Sequence, residues 1–88
     1  MEADTNAAFS CCDFTNSEKF MAAGSLDKKI RIYDIKSMTL KDIIDFGDGE
    51  IKWVSFTAND QYLIAAGKFV VKIYDMKSKK LADAILEQ

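Results

Sequence analysis

The sequence predicts an all-β fold made of two four-stranded antiparallel sheets, and three observations predict it. The 88-residue chain is a duplication of a unit of about forty residues. Within each unit, apolar side chains recur with period two rather than 3.6. Short polar segments rich in Asn, Asp, Ser, Gly and Lys separate the alternating runs, and no proline presets any turn.

The duplication is read by sliding the chain along itself. At an offset of 41, Ile30 to Ile44 falls on Val71 to Ile85, with eight identities (Ile32, Tyr33, Asp34, Lys36, Ser37, Leu40, Asp42 and Ile44). Upstream the offset is 42, placing Phe9, Cys12, Phe14, Phe20 and Met21 on Ile51, Val54, Phe56, Tyr62 and Leu63. One residue is missing between the two blocks of copy two, inside a predicted hairpin turn. The division is 1–46, with a short tail at 1–7, and 47–88.

Each strand follows from its alternation. Lys29-Ile30-Arg31-Ile32-Tyr33-Asp34 interleaves charge with aliphatic side chains, and Val71-Lys72-Ile73-Tyr74-Asp75 repeats it. The predicted strands of copy one are Ala8–Thr15, Phe20–Ser25, Lys29–Ile35 and Thr39–Phe46. Those of copy two are Glu50–Thr57, Tyr62–Gly67, Phe69–Met76 and Lys80–Leu86. The last also has helical propensity in Leu81-Ala82-Asp83-Ala84-Ile85-Leu86; its β-branched counterpart in copy one argues for a strand.

Composition excludes several kinds of chemistry. Hydrophobic content of 49% with 30% charge is that of a globular chain. A net charge of −2 makes no case for nucleic acid, and no uncharged run is long enough to span a bilayer. The N-terminal Met-Glu-Ala-Asp is acidic where a secretory signal is basic, so no signal is expected. Histidine is absent, which removes the commonest general base and metal ligand. The only cysteines, Cys11 and Cys12, are adjacent and point to opposite faces of a strand. They are expected to be buried and unbridged in a reducing compartment. Gly47-Asp48-Gly49-Glu50 lacks the spacing of a phosphate or calcium loop and is read as a connection needing positive φ. No catalytic, cofactor-binding or metal-binding residues are predicted, and no cofactor.

Four strands in about forty residues is the size of one β-propeller blade. The residues themselves resemble the WD-repeat family. Copy one reads Phe9-x-x-Cys12-x-Phe14, then Met21-Ala22-Ala23-Gly24-Ser25-Leu26-Asp27, and closes on Ile30-Arg31-Ile32-Tyr33-Asp34. Copy two reads Ile51-x-x-Val54-x-Phe56, then Leu63-Ile64-Ala65-Ala66-Gly67, and closes on Val71-Lys72-Ile73-Tyr74-Asp75. The repeat signature is thus carried by Phe14, Gly24, Asp27, Tyr33 and Asp34, and by Phe56, Gly67, Tyr74 and Asp75. Tyr33 and Tyr74 stand where the family has its tryptophan, keeping a large amphipathic ring. The family's hydrogen-bonded set of His, Ser or Thr, Asp and Trp is mostly missing. There is no His, and Ala23 and Ala65 replace the hydroxyl. Asp27 alone remains, so the blades are expected to lack a buried polar network.

The resemblance implies two four-stranded antiparallel blades of WD-repeat type, a partial propeller. Two blades leave two broad faces uncovered, while propellers close at roughly four to eight blades. Three arrangements satisfy this: a piece of a longer propeller, self-assembly of three or four copies, or blades completing a propeller of another chain. The resemblance also implies a non-enzymatic protein-interaction scaffold, cytoplasmic, with a nuclear or cytoskeletal complex left open. Its partners would be other proteins or further blades, not nucleic acid or membrane. Trp53, whose repeat equivalent is Cys11, is either a blade-face packing residue or a partner contact. Lys36, Lys77, Lys79 and Lys80, in the turns after the third strands, are either solvated or contacts for an anionic partner; Lys19 shares their rim. The rival readings are a self-assembling lectin-like propeller binding a ligand between blades, and an enzyme on a propeller scaffold.

Overall fold

Eight strands form in chain order, and each sheet is a simple meander of neighbours. The first sheet holds β1 (Phe9–Phe14), β2 (Phe20–Ser25), β3 (Lys29–Asp34) and β4 (Thr39–Asp45). The second holds β5 (Trp53–Phe56), β6 (Tyr62–Ala66), β7 (Val70–Asp75) and β8 (Lys80–Leu86). The computed structural model describes residues 8–47 and 49–86; the predicted tail at 1–7 and Asp48 of the connecting loop lie outside them.

All eight predicted strands are present, β8 among them as a strand and not a helix. The largest difference is β5, which starts at Trp53 rather than Glu50. Its partner explains this: β6 ends at Ala66, which pairs with Trp53, so residues before Trp53 have no strand to join. Only the Lys52 amide still reaches back, to the Ala66 carbonyl at 2.7 Å.

The duplication extends to backbone detail. The register shifts between Ile32 and Tyr33 against β4, and again between Ile73 and Tyr74 against β8. Glu18 and Asp60 take left-handed φ of 62° and 60° in the two β1–β2-type turns, and Met38 and Lys79 take 57° and 60° in the two β3–β4-type turns. Gly47 and Gly49, in the connection between sheets, have φ of 77° and 97°, where a side chain would be strained.

The core lies between the sheets. One face of the first sheet (Ala22, Ile30, Ile32 and Ile44) packs on one face of the second (Val54, Phe56, Leu63, Ala65 and Tyr74). By strand alternation, Ala23 and Tyr33 point to the opposite side of the first sheet, although they are the repeat equivalents of Ala65 and Tyr74. Each sheet therefore buries a different one of its two faces in the junction, as successive units of a repeat stack do.

Candidate functional site

The junction shows what these faces bind when they are covered. Its apolar contact is bordered by polar ties between equivalent strands of the two sheets. The Phe56 amide donates to Asp13 Oδ2 at 2.9 Å, and the Ser10 hydroxyl donates to the Ile51 carbonyl. In the turns, Asp60 accepts from the amides of Asn16 at 2.6 Å and Ser17 at 2.9 Å. The Asn16 side chain donates in turn to the carbonyls of Thr57 and Ala58.

The backbone N–H of Asn16, followed by that of Ser17, holds the Asp60 carboxyl below its ordinary value. A carboxyl with a depressed folded pKa stabilises above its unfolded value, near 3.9, and the contribution is lost as pH falls through the folded value. The melting temperature should therefore fall on acidification below about pH 4. Asp60→Asn should flatten part of that fall in thermal scans followed by circular dichroism. Parallel curves for the two proteins would show that the turn contributes nothing to acid sensitivity.

A second polar cluster corrects the expectation that the blades have no buried network. Ser25 and Arg31 are buried, at 0% and 3% exposure. The Arg31 guanidinium donates to Asp27 Oδ2 at 2.7 Å and to Ser25 Oγ at 3.0 Å, and the Ser25 hydroxyl donates to Asp27. Hydrogen bonds from Arg31 and then Ser25 push the Asp27 carboxyl well below the usual carboxylate range. The family pattern puts the hydroxyl at Ala23, whereas the structure supplies it two residues on, at Ser25. In copy two the cluster is gone: Gly67 stands in the place of Ser25, and Asp27 is the deleted residue. Lys72, the equivalent of Arg31, donates instead to the Phe46 carbonyl at 2.6 Å, with its ammonium over the Phe46 ring.

The outward faces are the surfaces left to a partner. On the first sheet a groove of about 380 Å³ is lined by Phe9, Cys12, Met21, Ala23 and Tyr33 among others. Phe9 and Phe14 are exposed there, while Tyr33 is covered by an edge-to-face contact with Phe9. Cys12 is exposed too, against the expectation of burial, and Cys11 is half-buried. On the second sheet the open face carries Trp53, 52% exposed, with half-buried Ile64, Val71 and Ile73.

The turn lysines lie where the strand order puts them. The Ile35 amide donates to the Lys19 carbonyl, and the Met76 amide to the Gln61 carbonyl, so both kinds of turn share one rim. Lys36, Lys77 and Lys80 are exposed on it, whereas the Lys79 ammonium folds back on the Met76 carbonyl. Asp34 and Asp75 accept the amides of Ser37 and Lys77 and close those turns. The structure thus separates two groups: Trp53 sits on a blade face and the lysines on a rim. Among the described residues no three His, Cys, Asp or Glu gather as a metal site, and no helix is long and apolar enough to cross a membrane.

Residues 2–34 match the family model described as WD domain, G-beta repeat. The match covers most of the first repeat unit and stops before β4. Among solved structures it is similar to the WD40 repeats of RRP9, with a TM-score of 0.90 at 11% identity over 98% of this chain and 28% of that one. The structure of U3-55K gives the same values. The β-propeller domain of Cps50 (Swd1) from Myceliophteria thermophila has a TM-score of 0.86 at 21% identity, over 96% of this chain and 27% of that one. At these identities the likeness is one of fold, and the chain spans little more than a quarter of each propeller. Its two sheets are two blades of a partial propeller. No curated protein matches the sequence.

Proposed function

We propose that the chain is a non-catalytic protein-interaction module, whose two blades supply surface within a larger propeller or multiprotein complex, in the cytoplasm. One observation supports this above the rest. Each open face is the repeat equivalent of a face that the junction buries, so each has the chemistry of a contact surface. The turn-rim lysines Lys36, Lys77 and Lys80 are a secondary contact for an acidic protein segment. The lectin-like reading asks for an aromatic repeated at equivalent junctions, but Trp53 has Cys11 as its counterpart.

The test is a hydrophobic dye titration with light scattering on the 88-residue chain. The open faces should bind dye in the folded state, and the signal should fall when Trp53 and Phe14 are replaced by serine. A monodisperse, cooperatively melting monomer that binds no dye would overturn the interaction reading. Turnover above background in a hydrolase panel would overturn its non-catalytic part.

A further inference from the structure

The junction between the blades is a template for what each open face accepts. Its tightest point is Gly24, where an added Cβ would lie 2.6 Å from Ile51 Cγ2 and 2.8 Å from Cys11 Sγ. Ile51 can seat only because that position has no side chain. Around it, the covering face of the first blade is built from small residues, Ala22 and Cys11 beside Gly24.

The same places on the open face of the second blade hold larger residues. Ala66 replaces Gly24, Ile64 replaces Ala22 and Trp53 replaces Cys11. The open face of the first blade, by contrast, keeps the form of its buried counterpart. Phe14, Ala23 and Tyr33 repeat Phe56, Ala65 and Tyr74, while Phe9 enlarges the place of Ile51 and Ser25 that of Gly67. Its polar positions are kept as well. Glu18 occupies the left-handed turn position of Asp60 and keeps a carboxylate there, the group that in Asp60 accepts two backbone amides. Phe14 occupies the place of Phe56, whose amide is taken by Asp13.

A second copy stacked head to tail would bring Ala66 against Phe9, where the template leaves no room even for a methyl beside isoleucine. Ile64 and Trp53 add volume at the same joint, and well-packed interfaces do not absorb extra methylenes. We propose that the open face of β1–β4 is a socket for a four-stranded blade of different sequence. That blade has glycine at the Gly24 position, small residues at those of Ala22 and Cys11, and a carboxylate at that of Asp13. A second copy of this chain is not its occupant. The inference rests on the interaction reading and adds the chemistry of the partner.

The experiment gives the chain the blade it lacks. In the 88-residue protein, Trp53→Ala, Ile64→Ala and Ala66→Gly together turn the open face of β5–β8 into a small-residue face. Sedimentation velocity across a concentration series then reads association. The wild type should form no discrete trimer or tetramer. The triple variant should associate at least about tenfold more tightly, since overpacking of this kind costs that much. Adding Glu18→Arg should reverse the gain, because it removes the acceptor for the incoming turn. If the triple variant loses its β circular dichroism spectrum, Phe9→Ile with Ala66→Gly relieves the same contact from both sides. A wild-type trimer or tetramer that Glu18→Arg dissolves would make a second copy the occupant and overturn the proposal. So would variants that fold and associate no better than wild type. Dye binding by a wild-type monomer is unaffected when the variants fail to associate, and a wild-type ring would itself be an interaction through these faces, so the broader reading stands or falls separately.

Discussion

Replacing Phe46 with alanine is expected to lower stability by about 3–5 kcal/mol, the usual cost of deleting a buried aromatic ring. Phe46 is 0% exposed, just after β4 where the chain leaves the first blade for the second. Its ring lies under the Lys72 ammonium, 5.0 Å from ring centre to nitrogen, and its carbonyl accepts from the same group. The ring edge also fills the space beside Gly67, where a Cβ would meet Phe46 Cε2 at 3.0 Å. Phe46 thus occupies the volume that Ser25 and Asp27 fill in the first blade. Urea unfolding followed by far-ultraviolet circular dichroism gives the cost, with Phe46→Leu expected below about 1.5 kcal/mol as a near-isosteric control. A double-mutant cycle tests the volume argument. Gly67→Ser should destabilise the wild type by about 1–3 kcal/mol and cost less in the Phe46→Ala background, where the space has opened. Additive losses would show that ring and glycine do not share one cavity.

What could be read in the sequence was what is local and repeated. Alternation along Lys29–Asp34 and Val70–Asp75 requires only neighbouring residues, and the 41-residue offset doubles the evidence at every position. The burial of Tyr33 and Tyr74 followed from the same pattern. What could not be read depends on contacts across a turn or between sheets. Arg31 looked like the charged member of an alternating strand, yet it is buried because the β2–β3 turn folds Asp27 back onto its guanidinium. The signal was present as Ser25-x-Asp27-x-x-x-Arg31, an acid and a base on two sides of one hairpin. The family pattern places the hydroxyl at Ala23, two residues before the one that carries it. Cys12 was expected inside because free cysteines usually are. It is exposed because, among the described residues, no other strand packs on its side of the sheet, which no local pattern reports.

That hairpin carries the second large effect. Asp27→Ala is expected to cost about 3 kcal/mol, the low end for breaking a buried ion pair, because the Asp27 side chain is 26% exposed while that of Arg31 is 3% exposed. Most of the loss is the charge left behind. The Arg31 guanidinium stays buried after losing its bonds to Asp27, and Ser25 Oγ cannot replace a carboxylate. Removing the charge as well should therefore recover stability. Asp27→Ala with Arg31→Met is expected to be more stable than Asp27→Ala alone by about 1–2 kcal/mol, since a well-packed apolar pair often matches a buried ionic one. Asp27→Ala with Arg31→Lys should not recover it, because lysine keeps a positive charge at the same buried position. Urea midpoints of the four proteins decide the matter. An Asp27→Ala loss below about 1 kcal/mol, or a double variant no more stable than the single, would mean that the cluster is a solvated turn contact. The expected pattern would instead show that the first blade is held by an internal charge pair. In the second blade, Phe46 and Lys72 have taken over that role.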